Sequence, residues 1–265
     1  MGLKKNIFYS SLLTCSNYIF PLITYPYVCR VLGVEAIGKC NYIMGIVSYF
    51  ILFATMGTSV VGIREIAKNK DNPEDLEKTF SSIFLLNLIC TIIASILYFI
   101  LALCSPNLIQ YKPLLLLGSV QLVLTIFQIE WFYKGIEEFK YITIRSVIVK
   151  SLYLICLFIF CHKPEDYIIY FSLTILSFVG NTAFNWFYKK KFTIKKIHFY
   201  GFKGLSGSFF MVGVYTILAS MYTSFNVVYL GWVSSDIEVG YYTTAIKLFA
   251  IILSLYTAIT GVMLP

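Results

Sequence analysis

The chain has 265 residues, of which 58% are hydrophobic and 13% are charged, and its mean hydropathy is +0.79. This composition excludes an ordinary soluble domain, because several stretches exceed the roughly 20 apolar residues that cross a bilayer. A net charge of +8 would favour nucleic acid as a partner of a soluble protein. Here it indicates lysine-rich loops on one side of a membrane, and we expect no nucleic-acid partner.

Eight apolar stretches predict eight membrane-spanning helices, separated by charged or proline-containing turns such as residues 69–75 and 162–166. The fold class is therefore predicted to be all-α, as a polytopic membrane protein. The predicted spans cover residues 7–29, 41–63, 81–104, 113–133, 142–161, 167–188, 208–230 and 243–264.

The first predicted span contains Pro21 and Pro26 within an otherwise apolar helix. Each proline removes a backbone donor and clashes with the preceding turn, so we expect a hinge at these two residues. Arg30 follows at the far end of this span. It either carries a cation into the helix bundle or snorkels to the membrane surface, and the sequence leaves both readings open.

Lysine and arginine are distributed unevenly between the two sides of the predicted membrane. Fifteen of the 21 fall in loops on the side of the N-terminus, four lie on the other side, and Lys150 and Lys247 lie inside spans. Because cytoplasmic loops are rich in these residues, the bias predicts an inner or plasma membrane protein with a cytoplasmic N-terminus.

A repeat in the sequence predicts how the spans are grouped. Residues 34–42 align with 236–244 at an offset of 202, so spans one and two correspond to spans seven and eight. We therefore expect a six-helix lobe at 1–190, a basic cytoplasmic linker at 191–207 and the first two helices of an incomplete second lobe at 208–265. The apolar end of the chain at Pro265 is read as a cut.

Charged residues inside spans are the candidates for function, because an unpaired charge in hydrocarbon is costly. Lys150 lies about 12 Å into the fifth span at the rise of a helix. It either lines a cavity or forms a structural pair, for which Glu130 is the candidate partner. Arg64 and Arg145 sit near span ends, where snorkelling is an equal explanation. Glu130 itself either carries a coupling ion or neutralises a neighbouring cation, and we favour the second reading.

Four groups of residues carry a resemblance to a known family. They are Pro26–Gly33 with Gly38, Gly57 with Gly62–Ala67, Glu130–Phe139 with Arg145, and Gly240–Tyr242 with Lys247. In order and spacing the chain resembles the O-antigen and capsule (Wzx-type) flippases of the multidrug/oligosaccharidyl-lipid/polysaccharide exporter superfamily.

The resemblance implies a bacterial or archaeal protein with two six-helix lobes around a central cavity. Such proteins move undecaprenyl-diphosphate-linked oligosaccharides from the cytoplasmic to the outer leaflet, and a glycan polymerase and other assembly proteins are the implied partners. A diphosphate requires a cationic path, for which the candidates in this chain are Arg30, Arg64, Arg145, Lys150 and Lys247.

Three alternatives to a flippase follow from the same residues. A multidrug/cation antiporter of the same superfamily would need an acidic lumen, whereas the candidate charges here are mainly basic. A truncated, non-transporting fragment is consistent with the abrupt end. An enzyme of glycan assembly is not expected, because the chain has no Asp-x-Asp loop and no His-Glu-x-x-His motif. No cofactor and no metal site are expected, since the seven cysteines form no Cys-x-x-Cys pair.

Overall fold

The computed structural model describes residues 3–189, 192 and 206–263, and regular structure in these residues is helical throughout. The predicted all-α class is confirmed. The predicted linker at 191–207 lies almost entirely outside the described residues. The α-helices are α1 (Leu3–Thr55), α2 (Ile63–Asn69), α3 (Pro73–Cys104), α4 (Lys112–Leu124), α5 (Glu130–Gly135), α6 (Phe139–Phe160), α7 (Tyr167–Lys189), α8 (Ser206–Val233) and α9 (Asp236–Met263).

The long helix α1 consists of two helical arms that meet at Gly33. Gly33 has φ 76° and ψ 170°, a conformation that glycine adopts without steric cost. We call residues 3–32 arm 1 and residues 34–55 arm 2; they correspond to the first two predicted spans. Pro21 and Pro26 lie inside arm 1, which stays helical through both. The hinge at these prolines remains a prediction.

Several helices can cross a membrane, so the protein is a multi-pass membrane protein. The described residues contain five helices of sufficient length and apolarity, the first of which, Lys4–Thr55, includes both arms. A sixth is counted when the segment from Gly207 to Val233, bent by 52°, is taken as one span. The eighth predicted span lies in α9, which is not among these six.

Two spans that the sequence predicts as continuous are broken in the structure. The span predicted at 41–63 leaves the α-helical conformation after Thr55, where Gly57 has φ 75° and a short π-helix, Thr58–Gly62, follows. The span predicted at 113–133 divides into α4, a 3₁₀ turn at Thr125–Phe127 and α5. Hydropathy misses both breaks because the residues remain mostly apolar across them.

Arm 1 is fixed at its start by contacts with the loop between α5 and α6. Asn6 Nδ2 donates to Glu137 Oε2 at 3.2 Å, and Lys70 Nζ donates to the other oxygen of that carboxylate at 2.7 Å. The Lys70 hydrogen bond and charge lower the pKa of Glu137 below its ordinary value. Further along, Thr143 Oγ1 donates to the Tyr9 carbonyl at 2.8 Å. Arm 1 therefore lies against α6 from its first turns.

The α8–α9 hairpin packs on α1 through contacts that the repeat relates to one another. A Cβ built on Gly38 would overlap the carbonyl of Asp236, and a Cβ built on Gly240 would overlap the carbonyl of Val34. Gly240 is Gly38 shifted by 202, and Asp236 is Val34 shifted by 202. The two contacts are therefore equivalent under the offset that the sequence predicts.

A third contact joins two residues that are each other's counterparts at this offset. Asn41 Nδ2 donates to Thr243 Oγ1 at 2.9 Å. When two equivalent residues of a repeat contact each other, a local twofold axis passes between them. Arm 2 and α9 are therefore related by a local twofold axis at this contact. The division into two lobes remains a prediction.

Candidate functional site

The two broken spans line one cavity of about 290 Å³, which we call the break cavity. The π-helix borders α5 closely, since a Cβ built on Gly62 would lie 3.1 Å from the Trp131 ring. Irregular backbone at membrane depth is stable only where protein or water satisfies its polar groups. The polar residues of the cavity wall are Thr55, Thr58, Ser59, Asn87, Gln128, Glu130 and Lys134.

A charged cluster lies at one wall of the break cavity. The Glu130 carboxylate accepts from Arg145 Nη2 at 2.7 Å and from Lys134 Nζ at 2.9 Å. The Arg145 side chain is 3% exposed and also donates to Asn185 Oδ1 and to Ser146 Oγ, the latter at 3.1 Å. The cluster holds one carboxylate and two cations, so it keeps a net positive charge.

Lys150 lies further along α6 and is partly buried against arm 1. Its Nζ donates to Asn17 Oδ1 at 2.5 Å and to Ser16 Oγ at 3.1 Å, and it lies 5.8 Å from the centroid of the Phe20 ring. Glu130, the partner that the sequence left open for Lys150, binds Arg145 and Lys134 instead. Within the described residues, Lys150 forms no ion pair.

Lys247 lies where α9 meets both arms of α1. Its Nζ donates to Asn41 Oδ1 at 3.1 Å and sits 4.2 Å from the centroid of the Tyr25 ring. The Tyr25 hydroxyl is 3.2 Å from Thr244 Oγ1. The hydrogen-bond and ring partners of Lys247 are neutral. In the described part of the chain, Lys247 therefore also forms no ion pair.

Arm 1 thus contacts two lysines that lie in the middle of helices and lack carboxylate partners. Ser16 and Tyr25 are nine residues apart, which places these two contacts about 14 Å apart along the helix. A charge within the membrane is expensive and usually marks a substrate or ion path. Lys150 and Lys247 are therefore the strongest candidates among the predicted residues.

The other predicted cations lie apart from this series. Arg30 is exposed at the Gly33 end of arm 1. Arg64 is exposed on α2 and pairs with the adjacent Glu65 at 2.9 Å. Their role in a cationic path stays a prediction.

Lys189 is the first of three consecutive lysines, and the structure buries its side chain. Lys189 is 8% exposed, and its Nζ lies 4.2 Å from the Trp186 ring centroid and 5.3 Å from that of Phe80. The burial of Lys189 could not be recognised from the run of three lysines, because its neighbours are basic too. The signal available was Trp186 three residues earlier, which shares its helix face.

Metal binding has no support in the part of the chain that the structure covers. No group of three or more His, Cys, Asp or Glu side chains there is arranged to hold an ion.

Comparison with known proteins gives a family and two relatives. The family described as "Polysaccharide biosynthesis protein" matches residues 3–265. An Escherichia coli (strain K12) protein named as a candidate O-antigen transporter is 23% identical over 279 residues, covering 100% of this chain and 65% of the relative. A Shigella dysenteriae protein with the same name is 26% identical over 259 residues, covering 93% of this chain and 62% of the relative. No solved structure gives a significant match.

The extent of these matches decides what they establish. The chain spans less than two thirds of the length of either relative, so the activity of a complete transporter is not carried over by the match alone. The family match, in contrast, covers nearly every residue of the chain. This chain therefore belongs to the polysaccharide biosynthesis protein family.

Proposed function

We propose that the protein moves polyprenyl-diphosphate-linked oligosaccharides across the cytoplasmic membrane to the outer leaflet. The family and the names of the two relatives support a transporter of polysaccharide precursors. The observation that carries the proposal is the pair of lysines, Lys150 and Lys247, which lie in the middle of α6 and α9 against neutral partners. A transported diphosphate supplies the negative charge that these two side chains lack.

The order of the cations along the membrane gives the proposed path. With the N-terminus in the cytoplasm, the substrate first meets the cluster of Glu130, Lys134 and Arg145 at the lysine-rich end. It then passes Lys150 and reaches Lys247 near the Gly33 end, where Arg30 is exposed. At each step an anionic head group exchanges one partly desolvated cation for the next, which keeps its charge compensated in the low-dielectric core.

The charges of the cluster weigh against cation antiport. Glu130 is the carboxylate of the break cavity, and two cations already neutralise it. A cation site would need an unpaired carboxylate there. Catalysis is not proposed, because the relatives are named as transporters. The glycan polymerase and other assembly proteins remain predicted partners.

Replacing Lys150 or Lys247 with methionine is expected to reduce export at least fivefold, because methionine keeps the length of the side chain and removes its charge. The measurement is the amount of surface polysaccharide in a strain that lacks its own transporter and expresses the variant. Arginine at either position should retain more export than methionine, since the charge is kept. Membrane levels of each variant are measured by immunoblot in parallel.

The matched control is Lys68→Met, which removes a charge from an exposed residue that pairs with Glu65 on the surface of α2. It should export normally. Normal export by both Lys150→Met and Lys247→Met would contradict the cationic path. A loss in all three variants would indicate a general effect of charge on insertion.

A further inference from the structure

A second cavity, of about 490 Å³, lies between α6 and α7 and is distinct from the break cavity. We call it the α6–α7 cavity. Its floor is formed by Tyr141 and Tyr188, whose rings stack at 3.7 Å between centroids and are 5° from parallel. Two stacked rings, one from each helix, give the cavity a preformed base.

Three charged side chains line this cavity: Glu138, Lys140 and Arg145. Lys140 is exposed on the cavity wall, and no hydrogen bond or ion pair joins it to another residue in the described ranges. Arg145 is nearly buried and donates to Glu130. Counting these three side chains, the net charge is positive by one. Glu130 and Lys134, which lie next to Arg145, carry opposite charges, so including them leaves the net charge at plus one.

The rest of the wall is apolar and faces outward. Ile144 and Ile148 follow Lys140 at intervals of four residues, which places them about 6 and 12 Å further along α6. Phe184 faces them from α7. These three side chains are between 45% and 49% exposed. Their exposure in a membrane helix means that hydrocarbon chains cover them.

We propose that the α6–α7 cavity binds one anionic phospholipid. The phosphodiester binds Lys140, and one acyl chain lies along Ile144, Ile148 and Phe184. Basic pockets between helices at the lysine-rich side of a membrane protein are suited to such head groups. A single net positive charge matches the single negative charge of a phosphodiester. The proposal does not depend on the proposed transport function.

The test is lipid binding by the delipidated chain in detergent, followed by native mass spectrometry. The two probes are phosphatidylglycerol, with charge −1, and phosphatidylcholine with the same acyl chains. We expect the unmodified chain to bind phosphatidylglycerol at least fivefold more tightly than phosphatidylcholine. The phosphodiester of phosphatidylcholine is offset by its choline cation, so Lys140→Gln should weaken phosphatidylcholine binding much less than phosphatidylglycerol binding and thereby remove the preference.

The matched control is Lys78→Gln, since Lys78 is exposed on α3 and pairs with Asp75 outside the cavity. It should retain the preference for phosphatidylglycerol. A second variant, Ile148→Trp, fills the apolar part of the cavity and should weaken both lipids.

Three results would overturn the proposal. The first is an equal loss of binding in Lys140→Gln and Lys78→Gln, and the second is no loss in either. The third is displacement of phosphatidylglycerol by an equal concentration of a polyprenyl diphosphate, seen with the unmodified chain but not with Lys140→Gln. This result would make the cavity a substrate entry site. Monodisperse elution of each variant shows that it is folded.

Discussion

Arg145→Met is expected to lower the free energy of unfolding by about 3–5 kcal/mol, the cost of removing one partner from a buried ion pair. The Arg145 side chain is 3% exposed and binds Glu130, Asn185 and Ser146 together. Methionine fills much of the volume but donates to none of them. Asn185 is fully buried, so its side-chain oxygen would then lack a donor.

The measurement is thermal or denaturant unfolding of the purified chain in detergent, followed by tryptophan fluorescence. Trp131 reports on this region directly, because its ring stacks on Phe80 at 5.4 Å beside the break cavity. Arg145→Lys should recover little stability, since an ammonium group cannot reproduce the planar fork that reaches three separate acceptors.

Lys134→Met is the matched control for Arg145→Met, because both cations bind the same carboxylate. Lys134 is 37% exposed, and surface-accessible pairs contribute about 0–1 kcal/mol. The control should therefore lose much less stability. Equal losses in the two variants, or a melting temperature unchanged by Arg145→Met, would show that the buried network does not hold α5, α6 and α7 together.

Hydropathy made most of the fold predictable, because it reports which residues are in the membrane. It placed both arms of α1, and Gly33, where the arms meet, lies between the two predicted spans 7–29 and 41–63. The offset of 202 came from short turn sequences alone. It also relates the contacts of Gly38 and Gly240, because equivalent turns pack against each other across a local twofold.

The site was less predictable, because its residues meet through helix packing. Arg145 and Asn185 are 40 positions apart, and nothing in either local sequence indicates that α6 and α7 bring them together. Thr58 and Gln128 face one cavity only because the π-helix after arm 2 packs beside α5. Lys150 was predicted to be important from its position, but its partners on arm 1 required the structure.

Gly38→Ala is expected to separate α9 from arm 2. The added Cβ would overlap the Asp236 carbonyl and lie 3.1 Å from the Gly240 nitrogen, and backbone atoms cannot move aside as a flexible side chain can. Overpacking of this kind costs about 1–3 kcal/mol. Gly240→Ala should have an effect of similar size, because its Cβ meets the Val34 carbonyl in the equivalent contact.

The separation can be followed by a disulfide between Asn41→Cys and Thr243→Cys in a background without the seven native cysteines. The side chains of Asn41 and Thr243 are hydrogen-bonded at 2.9 Å, so the pair should cross-link readily when α9 is docked. Gly38→Ala should slow cross-linking several-fold. The loss of the Asn41–Thr243 contact would also release Lys247, whose Nζ binds the same asparagine.

Gly180→Ala provides the opposite case with the same chemical change. Its added Cβ would lie 3.7 Å from Val149, an ordinary van der Waals contact. Replacing glycine with alanine inside a helix normally stabilises it by about 0.5–1 kcal/mol, so this variant should cross-link as fast as the parent and melt slightly higher. Only a steric cause predicts that Gly38→Ala lowers the stability while Gly180→Ala raises it. Equal cross-linking in Gly38→Ala and Gly180→Ala would therefore show that close backbone contact does not hold the hairpin to α1.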